Sequence, residues 1–473
     1  MKLAHWLVLL PLLFWGCSLA PPLTPPTVSI PTAYKELSAA VAGDWRIANP
    51  ADGVSRGAWW EVFRDPLLNE FETVAARENQ HLRAALARIE QSRASVRLAK
   101  AAGKPRLDLG VNGARIQPSR STQNSDSQGG DPYSLVGARV QASYEVDLFG
   151  RVRDSVRAAR ADFGAEQALF ESLLLSLHGD VAETYFLLRA TDQDLVVLRA
   201  TVKIREEALG LLKIQFDAGG ISEFDLARLT ADTETTRSEV LALERSRAEY
   251  EHALAVLLGH TPADFSVAPV PQPGTLPIVP QGVPSTLLER RPDIAAAQRR
   301  MIAANARIGV ANAAFYPLLN LTADVGVESS SLGNLFKWGS RVWALGPIAG
   351  VLMSLPIFDG GRNAANLARA EAELDAEIAN YRQTVLSAFA EVEDALVGLR
   401  TLAGQRTATT AAVVAATRAA EIADARFAAG ATGYLDVLDA RRTLVTVKRA
   451  EAQINGARAV ATVRLIRALG GGW

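Results

Sequence analysis

The sequence predicts a mixed, mainly α fold: a half-chain plan used twice, with long coiled-coil helices and four β-strands. Three observations carry this. The first is duplication. Phe216-Asp217-Ala218-Gly219 followed by Asp225 reappears as Phe427-Ala428-Ala429-Gly430 followed by Asp436, and Val181, Leu188 and Arg189 answer to Val392, Leu399 and Arg400 at the same offset. The second is a seven-residue period through Leu174, Val181, Leu188, Leu195, Val202, Leu209 and Phe216, which imposes left-handed supercoiled packing. The third is strict alternation, as in Val136, Ala138, Val140, Ala142, Tyr144 and Val146 against Gly137, Arg139, Gln141, Ser143 and Glu145.

The elements follow in order. Residues 1–16 carry Lys2 and an apolar run through Leu7 to Leu10, the pattern of an export signal and too short for a spanning helix of roughly twenty residues. Cys17, between Gly16 and Ser18, sits where a bacterial lipoprotein is cleaved and acylated, so a covalent lipid on Cys17 is expected. A plain cleaved signal is the alternative, since Phe14 and Trp15 depart from the usual residues there. Residues 17–62, rich in proline, read as an extended strap.

The first repeat, 63–259, starts with a helical pattern that begins after Asp65-Pro66 and continues to about Ala102. Strands near 106–116 and 135–149 come next, then a helix from Gly150 to about Ala218, roughly 100 Å at 1.5 Å per residue. A turn at Gly219-Gly220 leads into a return helix ending at Gly259. A linker, 260–283, joins the second repeat, 284–473, with strands near 318–328 and 341–358, a helix from about Arg362 to Ala428, a turn at 430–433 and a return helix to about Leu469. The fourth strand contains Pro347, which weakens it as a central strand unless a bulge accommodates it. In the second long helix Val385, Val392, Leu399, Val413 and Phe427 keep the frame, and Ala388, Ala395, Ala416 and Ala423 let backbones approach closely.

Fifty basic against fifty-one acidic residues remove the electrostatic case for nucleic acid. One cysteine allows no internal disulfide. The histidines His5, His81, His178, His252 and His260 have no ligand spacing, and no phosphate loop or nucleophile elbow is present. The expectation is a protein that is not an enzyme and has no metal or cofactor beyond the lipid. Alternation over about ten residues is how a barrel strand shows lipid on one face and water on the other. A half-polar sheet on a soluble core gives the same pattern in any one segment. Four strands cannot close, so closure calls for several identical chains. A periplasmic coiled-coil scaffold, the rival plan, leaves the alternation unexplained.

Four sequence runs then point to a family: Gly16-Cys17-Ser18-Leu19-Ala20-Pro21; Trp60-x-x-Phe63-x-Asp65-Pro66-x-Leu68; Leu287-Leu288-Glu289-Arg290-Arg291-Pro292-Asp293-Ile294; and Leu345-Gly346-Pro347 with Pro356-Ile357-Phe358-Asp359-Gly360-Gly361-Arg362. In this order they resemble the TolC/OprM outer-membrane efflux lipoproteins, in the NodT-like branch. The resemblance implies a homotrimer whose twelve strands form one outer-membrane barrel, continued by a periplasmic α-barrel. It implies an exit duct for small molecules, working with a periplasmic adaptor and an inner-membrane pump of RND type; the outer-membrane part of a type I protein secretion system is the alternative. It also places a periplasmic gate at the hairpin tips, with Asp436, Asp439 and Asp225 as acidic residues. Phe427 stands where some members have tyrosine, and Thr432 where some have arginine. All three aspartates also sit at helix starts, where they would stabilise exposed amides and the helix dipole.

Overall fold

The computed structural model describes residues 18–24, 26–27, 34–36, 57–117, 132–270, 290–346 and 353–471. The signal segment, Cys17 and Pro347 lie outside them. Asp65 starts the first helix, α1 (Pro66–Glu78), by accepting from the Leu67 and Leu68 N–H groups at 3.0 and 3.2 Å. Pro66 fills the first helical position, where no N–H is needed.

This helix does not continue to Ala102 as expected. Asn79 adopts extended backbone (φ −62°, ψ 126°) and caps a second helix, α2 (Gln80–Ala101), accepting from His81 and Leu82 N–H at 2.9 and 3.2 Å. Its amide nitrogen donates to the Leu257 carbonyl at 2.9 Å. One asparagine thus ends a helix, starts the next and ties down a third. The apolar period runs through the break and does not reveal it.

The remaining elements are β1 (Arg106–Ile116), β2 (Tyr133–Val146), α3 (Arg151–Asp217), α4 (Glu223–Leu257), α5 (Pro292–Ala313), β3 (Leu318–Ser329), β4 (Arg341–Leu345), β5 (Met353–Ser354), α6 (Arg362–Ala428) and α7 (Tyr434–Ala468). The duplication extends to length: α3 and α6 each have 67 residues, α4 and α7 each 35. No helix among the described residues is long and apolar enough to cross a membrane.

The strands form one antiparallel sheet in the order β1-β2-β3-β4, with β5 also on β3. The expected fourth strand is described in two pieces, with Leu345 of β4 opposite Ala323 and Met353 of β5 opposite Leu319. Register aligns like with like. Leu109, Val140, Val325 and Trp343 form one row, while Asp108, Gln141, Asp324 and Ala344 form the next.

The chain divides into two compact units. One comprises 1–27, 88–166 and 297–381, and so holds the sheet; the other comprises 28–87, 167–296 and 382–473. In the first, the strap is pinned by side chains: Ser18 donates to the buried Asp154 at 2.7 Å, and the Asn312 and Asn305 amides donate to the Leu19 and Pro21 carbonyls. In the second, the Trp-Phe run packs into the core, with Trp59, Phe63, Leu68 and Phe71 against Val181, Tyr185, Phe186, Val463 and Ile466. Burying such side chains is worth about 1.5–3 kcal/mol each. Arg291, from the Arg-Arg-Pro-Asp run, is buried and bonds Asp293, Glu391 and the Ala468 carbonyl. That run is a clasp in this unit.

The seven-residue seam is buried through Val181, Leu188 and Leu195, but Phe216 at its end is exposed. There the buried phase passes to Ala208 and Leu212, which pack with Leu229 and Leu438.

Candidate functional site

Both helical hairpins turn in the same way. Gly219 and Gly430 have φ of +75° and +69°, a left-handed conformation that costs a side-chain-bearing residue energy. Their N–H groups return to the Phe216 and Phe427 carbonyls at 2.8 and 2.9 Å. Beyond the turns the two copies diverge.

In the first hairpin Ser222 caps α4. Its Oγ accepts from Asp225 N–H at 3.3 Å and donates to Asp225 Oδ2 at 2.7 Å, a reciprocal cap between the first residue and the third helical position. In the second, Gly433 occupies the cap position and offers no side chain. Asp436, the counterpart of Asp225, instead accepts from the Thr432 hydroxyl, and its N–H returns to the Gly433 carbonyl at 3.2 Å. The second tip is thus less completely capped, and its carboxylate is held by Thr432. Asp436 and Asp439 are both exposed, one helical turn apart.

Phe427 meets Tyr434 edge to face, with centroids 5.4 Å apart. Tyr434 joins the cluster of Leu212, Leu229 and Leu438 that holds the tips. Burial pushes its hydroxyl pKa up. The structure therefore groups Phe427, Thr432 and Asp436 on one hairpin and Asp225 on the other. Tyr434 was missed as a partner, although its seven-residue distance from Phe427 was visible.

The sheet has two unlike faces. Leu109, Val140, Val325 and Trp343, in one row, are 72, 39, 58 and 75 % exposed, an apolar face left open among the described residues. On the opposite face Arg139 bonds Asp324 at 3.2 Å and also Glu328. Alternation in the sequence anticipated both faces. It gave no sign of these ion pairs, whose partners lie far apart in the chain.

A further cluster escaped the sequence reading. Glu72, fully buried, lies 2.7 Å from His178 Nδ1, and the Trp60 ring lies against the imidazole, tilted by 31° with centroids 4.2 Å apart. Burial raises the Glu72 carboxyl well above its ordinary value and lowers His178 to about 4.

Residues 73–260 and 283–471, the two repeats, each match the family model described as outer membrane efflux protein. The chain is 34% identical over 475 residues to outer membrane protein OprJ of Pseudomonas aeruginosa, covering 98% of this chain and 95% of that one. It is 33% identical to the toluene efflux pump outer membrane protein TtgF of Pseudomonas putida, over 100% of this chain and 98% of the relative. Among solved structures it is similar to the outer membrane channel CmeC of Campylobacter jejuni, with a TM-score of 0.86 and 27% identity over 97% of this chain and 95% of the other.

Proposed function

The chain belongs to the outer membrane efflux protein family and is the outer-membrane exit duct of an efflux pump, and we propose that it works as a homotrimer. The observation that carries the trimer is the sheet. It has an exposed apolar row on one face, ion pairs on the other, and β1 and β4 as its outer strands. Three copies, each supplying β1, β2, β3 and a fourth strand that comprises β4 and β5, give the twelve that close a barrel with lipid outside and water within.

In this reading Cys17 carries the lipid that adds a second hold on the outer membrane. The hairpin tips meet a periplasmic adaptor, and an inner-membrane pump of RND type drives export. The cargo is small molecules rather than proteins, a reading supported by relatives such as TtgF that are named as efflux pump components. The duct needs no catalytic group. Threefold symmetry would gather Asp436 and Asp439 into six carboxylates around the axis, a gate that draws cations and repels anions. Asp225 serves chiefly to brace the Ser222 cap of its hairpin, supported by its reciprocal bond with Ser222.

Native mass measurement in detergent tests this. The expected particle contains three chains, each lacking residues 1–16 and carrying acyl groups on Cys17. A stable single chain that inserts into bilayers refutes the shared barrel, and an unacylated start refutes the anchor.

A further inference from the structure

The gate uses only the tips of the hairpins, and a large cavity at the sheet end is left without a role. Its volume is about 1160 Å³, slightly above the usual range for a drug-sized ligand. Four helices, α2, α3, α5 and α6, give it a wall of alanines with Leu98 and Val310. The sheet contributes Arg106 and Ser143, which face each other across β1 and β2, and Glu145 and Asn320, which face each other across β2 and β3. These come from the polar rows, so the cavity opens on the face that carries Arg139 and Asp324.

The carboxylates of its wall are already matched. Arg151 Nε holds Glu145 at 2.7 Å, and Arg307 holds both Asp162 and Glu373 at 2.7 and 2.8 Å. Arg106 is paired with Asp108 at 2.8 Å. Lys104 and Arg369 also line the cavity, and neither has a carboxylate partner among the described residues. Both are exposed. The cavity is thus an apolar wall edged by two uncommitted cations.

We propose that this cavity binds amphiphilic organic anions, with the apolar body against the alanine, leucine and valine wall and a carboxylate or sulfonate on Lys104 and Arg369. The inference rests on the duct reading, which puts the polar sheet face inside the lumen. A site of this kind suits a conduit. Exposed, flexible cations hold an anion weakly and in a salt-dependent way, so a solute can enter and also leave. It would favour anions, whereas the carboxylates of the hairpin tips favour cations.

The full chain in planar bilayers tests it, with 2-naphthalenesulfonate as the probe beside uncharged 2-naphthol and the cation naphthylmethylammonium. The sulfonate should block current at lower concentration than either analogue, less so as salt is raised. Lys104→Gln with Arg369→Gln should raise its half-blocking concentration by about tenfold and leave thermal unfolding unchanged, because both side chains are exposed. Equal block by the cation overturns the proposal, as does unchanged block in the double variant. A wild type that conducts without sulfonate preference removes the site and leaves the duct standing. A chain that never conducts removes both.

Discussion

Val140→Arg and Gln141→Arg place the same charge on neighbouring residues of β2 and should have opposite consequences. Val140 is the eighth of fourteen residues in β2, so it falls near the middle of the strand and of the apolar band. Its row neighbours are Leu109 and Val325, with Trp343 beyond, all exposed and apolar. An arginine there has no counter-charge and costs about 2–4 kcal/mol per chain at mid-membrane. Gln141 lies between Asp108 and Asp324 in register. An arginine at that position gains cross-strand opposite-charge pairs of about 0.2–1 kcal/mol each. The assay is refolding into lipid vesicles, followed by the fraction of heat-modifiable, detergent-resistant oligomer and by its urea midpoint. The Val140 variant should assemble poorly while the Gln141 variant matches the wild type. Equal tolerance, or the reverse order, would refute the assignment of lipid to the odd-numbered apolar row of β1 and its partners.

Three further outcomes are expected. Gly456→Ala drives a Cβ to within 2.4 Å of the Ala190 Cβ, so it should destabilise by about 1–3 kcal/mol, whereas Gly404→Ala, with open space around it, should stabilise by about 0.4–1 kcal/mol; thermal melting in detergent reads both. The stability from His178, whose pKa is lowered from 6.5 to about 4, is full above 6.5 and lost as pH falls through 4, while that from Glu72, raised from 4.5, is full below 4.5 and lost as pH rises through its folded value. The two slopes oppose one another between 4.5 and 6.5, so denaturant midpoints should vary less with pH there than in a His178→Phe variant, which keeps only the loss from Glu72; the same pH dependence in both would exclude this pair as its source. At the tips, Asp436→Asn with Asp439→Asn should weaken cation preference and divalent block of single-channel currents. A double variant that loses only stability would make these residues helix caps, comparable with Ser222→Ala, which should cost about 1 kcal/mol.

What the sequence by itself determined is whatever has a period or a local stop signal. The long helices begin and end where glycine and the seven-residue frame place them: Arg151 to Asp217 and Arg362 to Ala428. The strand rows follow from alternation, because side chains on a strand point to opposite faces at every step. The doubled tip, with Asp225 and Asp436 at matching places, was likewise legible, since it is a repeat of short-range pattern. Contacts between distant residues were not. That Asn79 breaks a continuous apolar period depends partly on the Leu257 carbonyl, 178 residues away. The Arg139 pairs with Asp324 and Glu328, the burial of Glu72 against His178, and the seating of Gly456 on Ala190 each join elements remote in the chain. Even Thr432 on Asp436, only four residues apart, depended on Gly433 supplying no capping side chain. Periodicity says which face of an element is buried, but which residue meets which across that face is set only when packing brings the elements together.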